Sequence, residues 1–216
     1  MEKLEAKKMS KKRIGIYGGA FDPLHNGHIK PIDQVSREHD LHRIHFIPTN
    51  ISNSEKQIFA SHVDRLEMLR IGLDNPAFIA DDREIIRKGI SYTIDTIESV
   101  VEEYRGANIY LIIGSDILPT LNKWKDFNNI MLLCNIIVLA RMTKNNDSLI
   151  NKELKSLICS DLAIFHGNSY GKIYLQDMPL INISSTEIRS RLQKNQKVSN
   201  LIPLRLDQWL QKRKIY

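Results

Sequence analysis

Residues Gly18 to His28 read GGAFDPLHNGH, a set of types and spacings suited to holding a phosphate chain. Gly18 and Gly19 have no Cβ, so the backbone is expected to turn tightly there and bring N–H groups close to an anion. The apolar run Ile14 to Tyr17 precedes them, and a segment with helical spacing follows from about Gly27. A strand that hands over to a helix in this way adds the unsatisfied N–H donors and partial positive charge of the helix's first turn. His25 and His28 lie three residues apart, which sets both imidazoles on one side of a helix start, facing the same small volume. Two imidazoles beside backbone donors suit the charge-rich transition state of phosphoryl transfer.

Other phosphate and metal motifs fit poorly. Glycines stand at 15, 18 and 19 and then not until 27, which is not the GxGxxG of a dinucleotide fold, and no Gly-Lys-Ser/Thr triplet of a P-loop occurs. His25 and His28 lack the four-residue spacing and glutamate of a zinc-protease helix. Neither Cys134 nor Cys159 has a ligand-like partner nearby, so no resident metal is expected. Standing alone, the two histidines also admit the less favoured reading of a solvated turn. A second segment, Ile183 to Arg189, reads ISSTEIR. Ser184, Ser185 or Thr186 can cap a helix there, with Glu187 three residues after Ser184 in a capping-box pattern, and the new helix N-terminus is another anion site. Arg189 stands close enough to add a forked guanidinium. An ordinary capped helix with a surface arginine reads the same way in isolation.

GGAFDPLHNGH resembles the (H/T)xGH signature of the nucleotidyltransferase superfamily, and the form with His at both ends is similar to the bacterial nicotinate-nucleotide adenylyltransferases. ISSTEIR is similar to that superfamily's second signature. The two motifs stand in the family's order, and the resemblance covers roughly residues 13 to 216. It implies adenylyl transfer from ATP to nicotinate mononucleotide, with release of pyrophosphate. His28 would stabilise the transition state and His25 the triphosphate, while Arg189 and the Ser184, Ser185 and Thr186 amides would receive the departing pyrophosphate. Gly18, Gly19, Ala20, Phe21 and Asp22 would line the ATP site, and Mg²⁺ carried on the ATP phosphates is the implied cofactor.

Further segments match. GISYTIDT is similar to the family's SYT segment, which implies a nicotinate pocket at Tyr92 and Thr93, with Thr93 capping the next helix. GSDILPTLNKW is similar to a GAD…W segment, in which Gly114 and Asp116 would face nucleotide and Trp124, beside Lys125, would stack on the pyridine ring. A core aromatic is the other reading of Trp124. Arg141 matches a family arginine and implies a phosphate contact. Two departures stand out: Ala20 replaces a Thr or Ser, leaving backbone N–H as the donor, and TNISNSEK replaces a PxxPHK loop, with Lys56 near that motif's lysine.

Apolar, β-branched runs at Arg13 to Tyr17, Arg43 to Ile47, Asn108 to Ile113, Ile136 to Ala140 and Lys172 to Leu175 read as strands. Segments near His28 to Glu38, His62 to Leu73, Ile94 to Glu103, Lys125 to Cys134 and Ser148 to Leu157 carry helical spacing. This alternation predicts an α/β fold of Rossmann-like, doubly wound type: a mostly parallel sheet with helices on both faces and a short helical C-terminal part. Ligands are then expected at the carboxyl ends of the strands.

Composition agrees. The chain has 216 residues with 42% hydrophobic content, enough for one domain at 13–216 behind a mobile basic extension at 1–12. No long apolar run marks a membrane span or signal peptide, and two unpaired cysteines suit a reducing cytoplasm. Much of the net charge of +6 lies in terminal clusters such as Lys7, Lys8, Lys11, Lys12 and Arg13 without interleaved aromatics, so nucleic acid is not an expected partner. His42, His45, His62 and His166 match no motif and are expected to be ordinary histidines. Other readings left open are a phosphopantetheine or nicotinamide mononucleotide acceptor, a non-catalytic nucleotide-binding module, and a homo-oligomer.

Overall fold

The computed structural model describes residues 11–51, 57–140, 152–179 and 181–216. Six strands form one sheet: β1 (Arg13–Gly19), β2 (Arg43–Pro48), β3 (Phe78–Ala80), β4 (Asn108–Gly114), β5 (Asn135–Ala140) and β6 (Ile173–Asp177). Every neighbouring pair is parallel, in the order β3-β2-β1-β4-β5-β6. This is the doubly wound Rossmann order, whose winding reverses between β1 and β4 and opens a crevice at their carboxyl ends.

The helices are α1 (Asn26–Glu38), α2 (His62–Gly72), α3 (Arg83–Arg87), α4 (Thr93–Glu103), α5 (Phe127–Leu133), α6 (Lys152–Leu157), α7 (Leu162–Gly167), α8 (Ser185–Gln193) and α9 (Leu204–Arg213). A 3-10 turn spans Leu118–Lys123. Alternation along the strands divides the apolar residues between two cores. Ile14, Ile16, Ile109, Leu111, Ile113, Ile136 and Val138 pack with Ile94, Ile97 and Val100 of α4. Ile44, Phe46, Tyr110, Ile112 and Ile137 pack with Ile32 and Val35 of α1 and with Met68 and Leu69 of α2. Strands covered on both faces read as continuous apolar runs, which is why β1, β2, β4 and β5 were legible, and the edge strand β6 still carries a short one in Ile173, Tyr174 and Leu175.

Four elements were not. β3 has three residues, too few to show alternation, and α3, α7 and the 3-10 turn are shorter than two α-helical turns. The helix expected from Lys125 begins instead at Phe127, because Asp126 takes a left-handed conformation (φ 54°) in front of it. The helix expected from Ser148 is described from Lys152 onward. Of the basic extension, Lys11 and Lys12 are described and both are exposed; the rest lies outside the described residues.

Of the unassigned histidines, His42 and His62 lie at the surface and His45 is hydrogen-bonded, as expected, whereas His166 keeps a buried Nε2 without a partner. His42 Nδ1 accepts from Arg13 N–H, and His62 is exposed on α2. His45 is buried between the Asp81 carboxylate at 2.6 Å and the Tyr104 hydroxyl at 3.0 Å. His39 and His166 lie in a second buried cluster, ring centroids 5.2 Å apart, where Gln176 holds His39 and the Tyr110 hydroxyl meets His166 Nδ1. Burial lowers the pKa of both rings, that of His166 to about 4, with repulsion from Arg13 adding to each.

Unfolding would release both rings to the ordinary imidazole range, so the unfolded chain binds more protons below about pH 6.5, a window that for His166 reaches down to about pH 4. Stability from the neutral pair is therefore complete above that window and lost as pH falls through it. Denaturant melts across the window are expected to show this decline, and His166→Phe is expected to flatten it. An identical slope in the variant would remove His166 as a cause.

Candidate active site

A cleft of about 2310 Å³ opens at the carboxyl edge of the sheet where β1 and β4 diverge. Gly18 and Gly19 do not make the tight turn expected of them. Both continue β1, in register with Ile47 and Pro48. The chain turns at Phe21, a non-glycine residue at φ 50°, a conformation that costs roughly 1–2 kcal/mol. Tertiary contacts hold it: the Phe21 ring is buried against Phe46, and buried Arg65 donates to the carbonyls of Ala20 (2.9 Å) and Thr49 (2.7 Å). Gly18 faces open space, where a Cβ would meet nothing within 4 Å.

His25 is the N-cap of α1 and His28 its third residue. The two rings stack with centroids 3.6 Å apart and planes 20° off parallel, so their spacing brings them together as expected. His28 Nδ1 accepts from the His25 backbone N–H at 3.3 Å, which leaves the proton of a neutral ring on Nε2. His25 Nδ1 is buried without a partner. Gly27 makes room for it: a Cβ there would lie 3.0 Å from His25 Nδ1 and 3.1 Å from Cε1. Burial lowers the pKa of His25 to about 4, and burial followed by repulsion from His25 lowers that of His28 well below the ordinary range.

The second segment folds against the first. Ser184 caps α8, its Oγ accepting from Glu187 N–H at 3.1 Å. The other half of the expected capping box does not form, because the Glu187 carboxylate pairs with Arg191 at 2.6 Å. Ser185 Oγ donates to the Pro23 carbonyl (3.2 Å), and Arg189 donates to the Asp22 carbonyl (2.7 Å) and Thr186 Oγ1 (3.3 Å). Arg189 also lies 4.5 Å above the Phe59 ring. Asp22 is 2% exposed, with its carboxylate turned into the protein.

Across the cleft, α4 starts with Tyr92, not Thr93, at its N-cap position, and no side chain caps it. Thr93 is already helical, so the first amides of α4 are left without intrahelical partners at the edge of the cleft. Lys125 Nζ lies 4.3 Å over the Tyr92 ring and 3.8 Å from Asp95. Trp124 is partly buried and lines the same cleft. Gly114 ends β4 with the Asp116 carboxylate beside it; a Cβ at Gly114 would sit 2.5 Å from Asp116 Oδ1. Lys56 and Arg141 lie outside the described residues.

Two cleft residues escaped notice in the sequence. Tyr17 packs edge-on against Phe21 and Phe46 near His28, and burial together with Asp116 pushes its hydroxyl pKa up. Its place one residue before the glycines was the available signal. Phe59 follows the divergent loop and carried none.

The cytidylyltransferase-like family model matches residues 16–191. The chain belongs to that family. Among its relatives, a probable nicotinate-nucleotide adenylyltransferase of Serratia proteamaculans is 35% identical over 208 residues, covering 93% of this chain and 94% of the relative. Another of that description, from Pectobacterium atrosepticum, is 34% identical over 194 residues and covers 87% and 91%. The nicotinic acid mononucleotide adenylyltransferase of Plasmodium falciparum, solved in complex with APC, shares the fold at a TM-score of 0.68 and 23% identity, covering 94% of this chain and 96% of that one. The same enzyme in complex with NaAD gives 0.67 and 24%, with the same coverage. The family's sheet is thus the frame on which the two histidines, α8 and α4 meet.

Desolvation makes a clear statement about the ligand-free histidines. In an NMR titration of the imidazoles, the His25 midpoint is expected near pH 4 and that of His28 well below the ordinary value. A midpoint near 6.5 for either ring would show it to be solvated and end this account of the pair.

Proposed function

We propose that the protein transfers the adenylyl group of ATP to nicotinate mononucleotide, giving nicotinate adenine dinucleotide and pyrophosphate, a step of NAD biosynthesis. The observation that carries this reading is the convergence of two distant segments on one cleft. The stacked His25 and His28 at the start of α1 and the Ser184–Arg189 turn of α8 are joined by the bonds from Ser185 to Pro23 and from Arg189 to Asp22. The activity for which the curated relatives are named supports the same reading.

In this reaction a phosphate oxygen of the mononucleotide attacks the α-phosphorus of ATP in line. A new P–O bond forms, the bond from the α-phosphorus to the bridging oxygen breaks, and pyrophosphate leaves with that oxygen and its electron pair. The nucleophile is already anionic at neutral pH, so no strong general base is needed and catalysis rests on positioning and charge neutralisation. His28, neutral with its proton on Nε2, donates to an α-phosphate oxygen as charge develops. His25 holds the triphosphate, and Gly18, Gly19 and Ala20 present backbone to it. The α8 amides and Arg189 receive the pyrophosphate. The first amides of α4 and the Lys125 ammonium meet the nicotinate carboxylate, with Trp124 stacked on the pyridine ring.

Mg²⁺ fits as a passenger on the triphosphate. Among the described residues no group of three or more His, Cys, Asp or Glu could hold a resident metal ion, while Asp116 at the cleft offers one carboxylate to a cation that keeps most of its waters. When bound, that ion neutralises phosphate charge. The proposed location is the cytoplasm, in keeping with two free cysteines.

The direct test is pyrophosphate release from ATP with each pyridine mononucleotide. The kcat/KM for nicotinate mononucleotide is expected to exceed that for nicotinamide mononucleotide by about tenfold or more, the scale of one charge-assisted hydrogen bond. No release with either acceptor would sink the proposal. His28→Ala is expected to lower kcat by roughly 10²-fold or more with the circular dichroism spectrum unchanged. Near-normal turnover would remove His28 from its role.

A further inference from the structure

The Asp22 carboxylate gathers hydrogen-bond donors from two separate parts of the chain, with a third close by. Oδ2 accepts from Phe59 N–H (2.7 Å), and Oδ1 accepts from Ala60 N–H (3.0 Å) and from the Tyr216 hydroxyl (2.7 Å). Arg189 Nη1, bound to the Asp22 backbone carbonyl, lies 3.8 Å from Oδ2 and so falls short of a close pair with the carboxylate. Tyr216 reaches this point because Lys214 ends α9 in a left-handed conformation (φ 50°) and turns the chain back. Its ring then packs into the core beside α2, where the hydroxyl also lies 3.7 Å from Met68 Sδ.

We propose that Tyr216 is a positioning residue for the adenylyl-transfer site. Its hydroxyl occupies Asp22 Oδ1 and thereby keeps the carboxylate from rotating onto Arg189. The hydroxyl acts as a donor: burial, then the hydrogen bond to Asp22, raises its pKa, so it keeps its proton throughout the working range. Without that donor, Oδ1 retains the Ala60 amide alone, and the carboxylate is free to close on Arg189, whose Nη1 already stands 3.8 Å from Oδ2. A closed Asp22–Arg189 pair would cancel the guanidinium charge that the departing pyrophosphate needs and would pull the side chain away from Thr186. It would also release the Ala20–Asp22 turn that orients the backbone beside the triphosphate. The acceptor side of the cleft, at α4, touches none of these groups, so the effect should fall on one substrate only.

The inference rests on the proposed reaction, and the test separates the two. Tyr216→Phe in the 216-residue chain keeps the ring and removes the hydroxyl. Its affinity for inorganic pyrophosphate, measured by calorimetry, is expected to fall about tenfold relative to wild type, and kcat with ATP by roughly 10- to 10²-fold, the scale of a small misplacement. The KM for nicotinate mononucleotide should stay within about twofold, since its subsite is untouched, and the melting temperature should move by only a few degrees. Equal pyrophosphate affinity and equal kcat in the two proteins would overturn the role of Tyr216. Equal rises in the KM of both substrates, or a loss recovered on cooling the assay, would show a merely structural role and overturn it too. If wild type binds pyrophosphate and Tyr216→Phe binds it weakly, yet neither acceptor is adenylylated, the reaction assignment fails while the positioning role stands.

Discussion

A carboxyl group taken out of water has to recover its hydrogen bonds from the protein, and the geometry of that recovery fixes whatever supplies the donors. Asp22 is the place where this chain concentrates that constraint. Its side chain meets the amides before α2 and the hydroxyl of Tyr216, and its backbone carbonyl receives Arg189 of α8. Segments widely separated in the chain are thereby fastened to the turn that follows β1. The left-handed Phe21 in that turn persists because these bonds and the buried Arg65 over-determine it.

Around this fastening the cleft combines two opposite kinds of electrostatics. The histidine pair is stacked and desolvated, which favours neutral rings and makes His28 an N–H donor rather than a point charge. Permanent positive charge comes from elsewhere: from Arg189, held above Phe59, and from the N-terminal ends of α1, α4 and α8. In the proposed reaction, neutral donors next to the reacting phosphorus and fixed charge beside the leaving group would suit a step in which charge moves along the phosphate chain. The crevice between β1 and β4 exists only because the sheet winds both ways from that point.

Much of the frame was legible from periodicity. Five of the six strands carry apolar runs long enough to read, whereas β3, with three residues, has no pattern to find. His25 and His28 were legible as a pair because helical spacing is local information, and the stack follows from it. Ser184 was legible as a cap for the same reason. Thr93 was not correctly placed, since one residue of register at a helix start depends on what packs beneath it. Nor did Glu187 return to its cap; Arg191, one turn along, offered a charge instead. The glycines at 18 and 19 suggested a tight turn, yet strand pairing with Ile47 and Pro48 carried them straight on.

Residue order along this chain is enough to determine the alternation of strands and helices, the starts of α1 and α8 and the imidazole pair, because each depends on neighbours a few positions away. The roles of Tyr17, Phe59, Arg65 and Tyr216 depend on groups far off in the chain: an aromatic beside His28, a platform under Arg189, a donor to two carbonyls, and a hydroxyl on Asp22. No spacing rule announces such contacts. They arise only when folding closes long loops and leaves a buried carboxylate, or an orphaned carbonyl, to be satisfied by whatever donor the packed chain brings within reach.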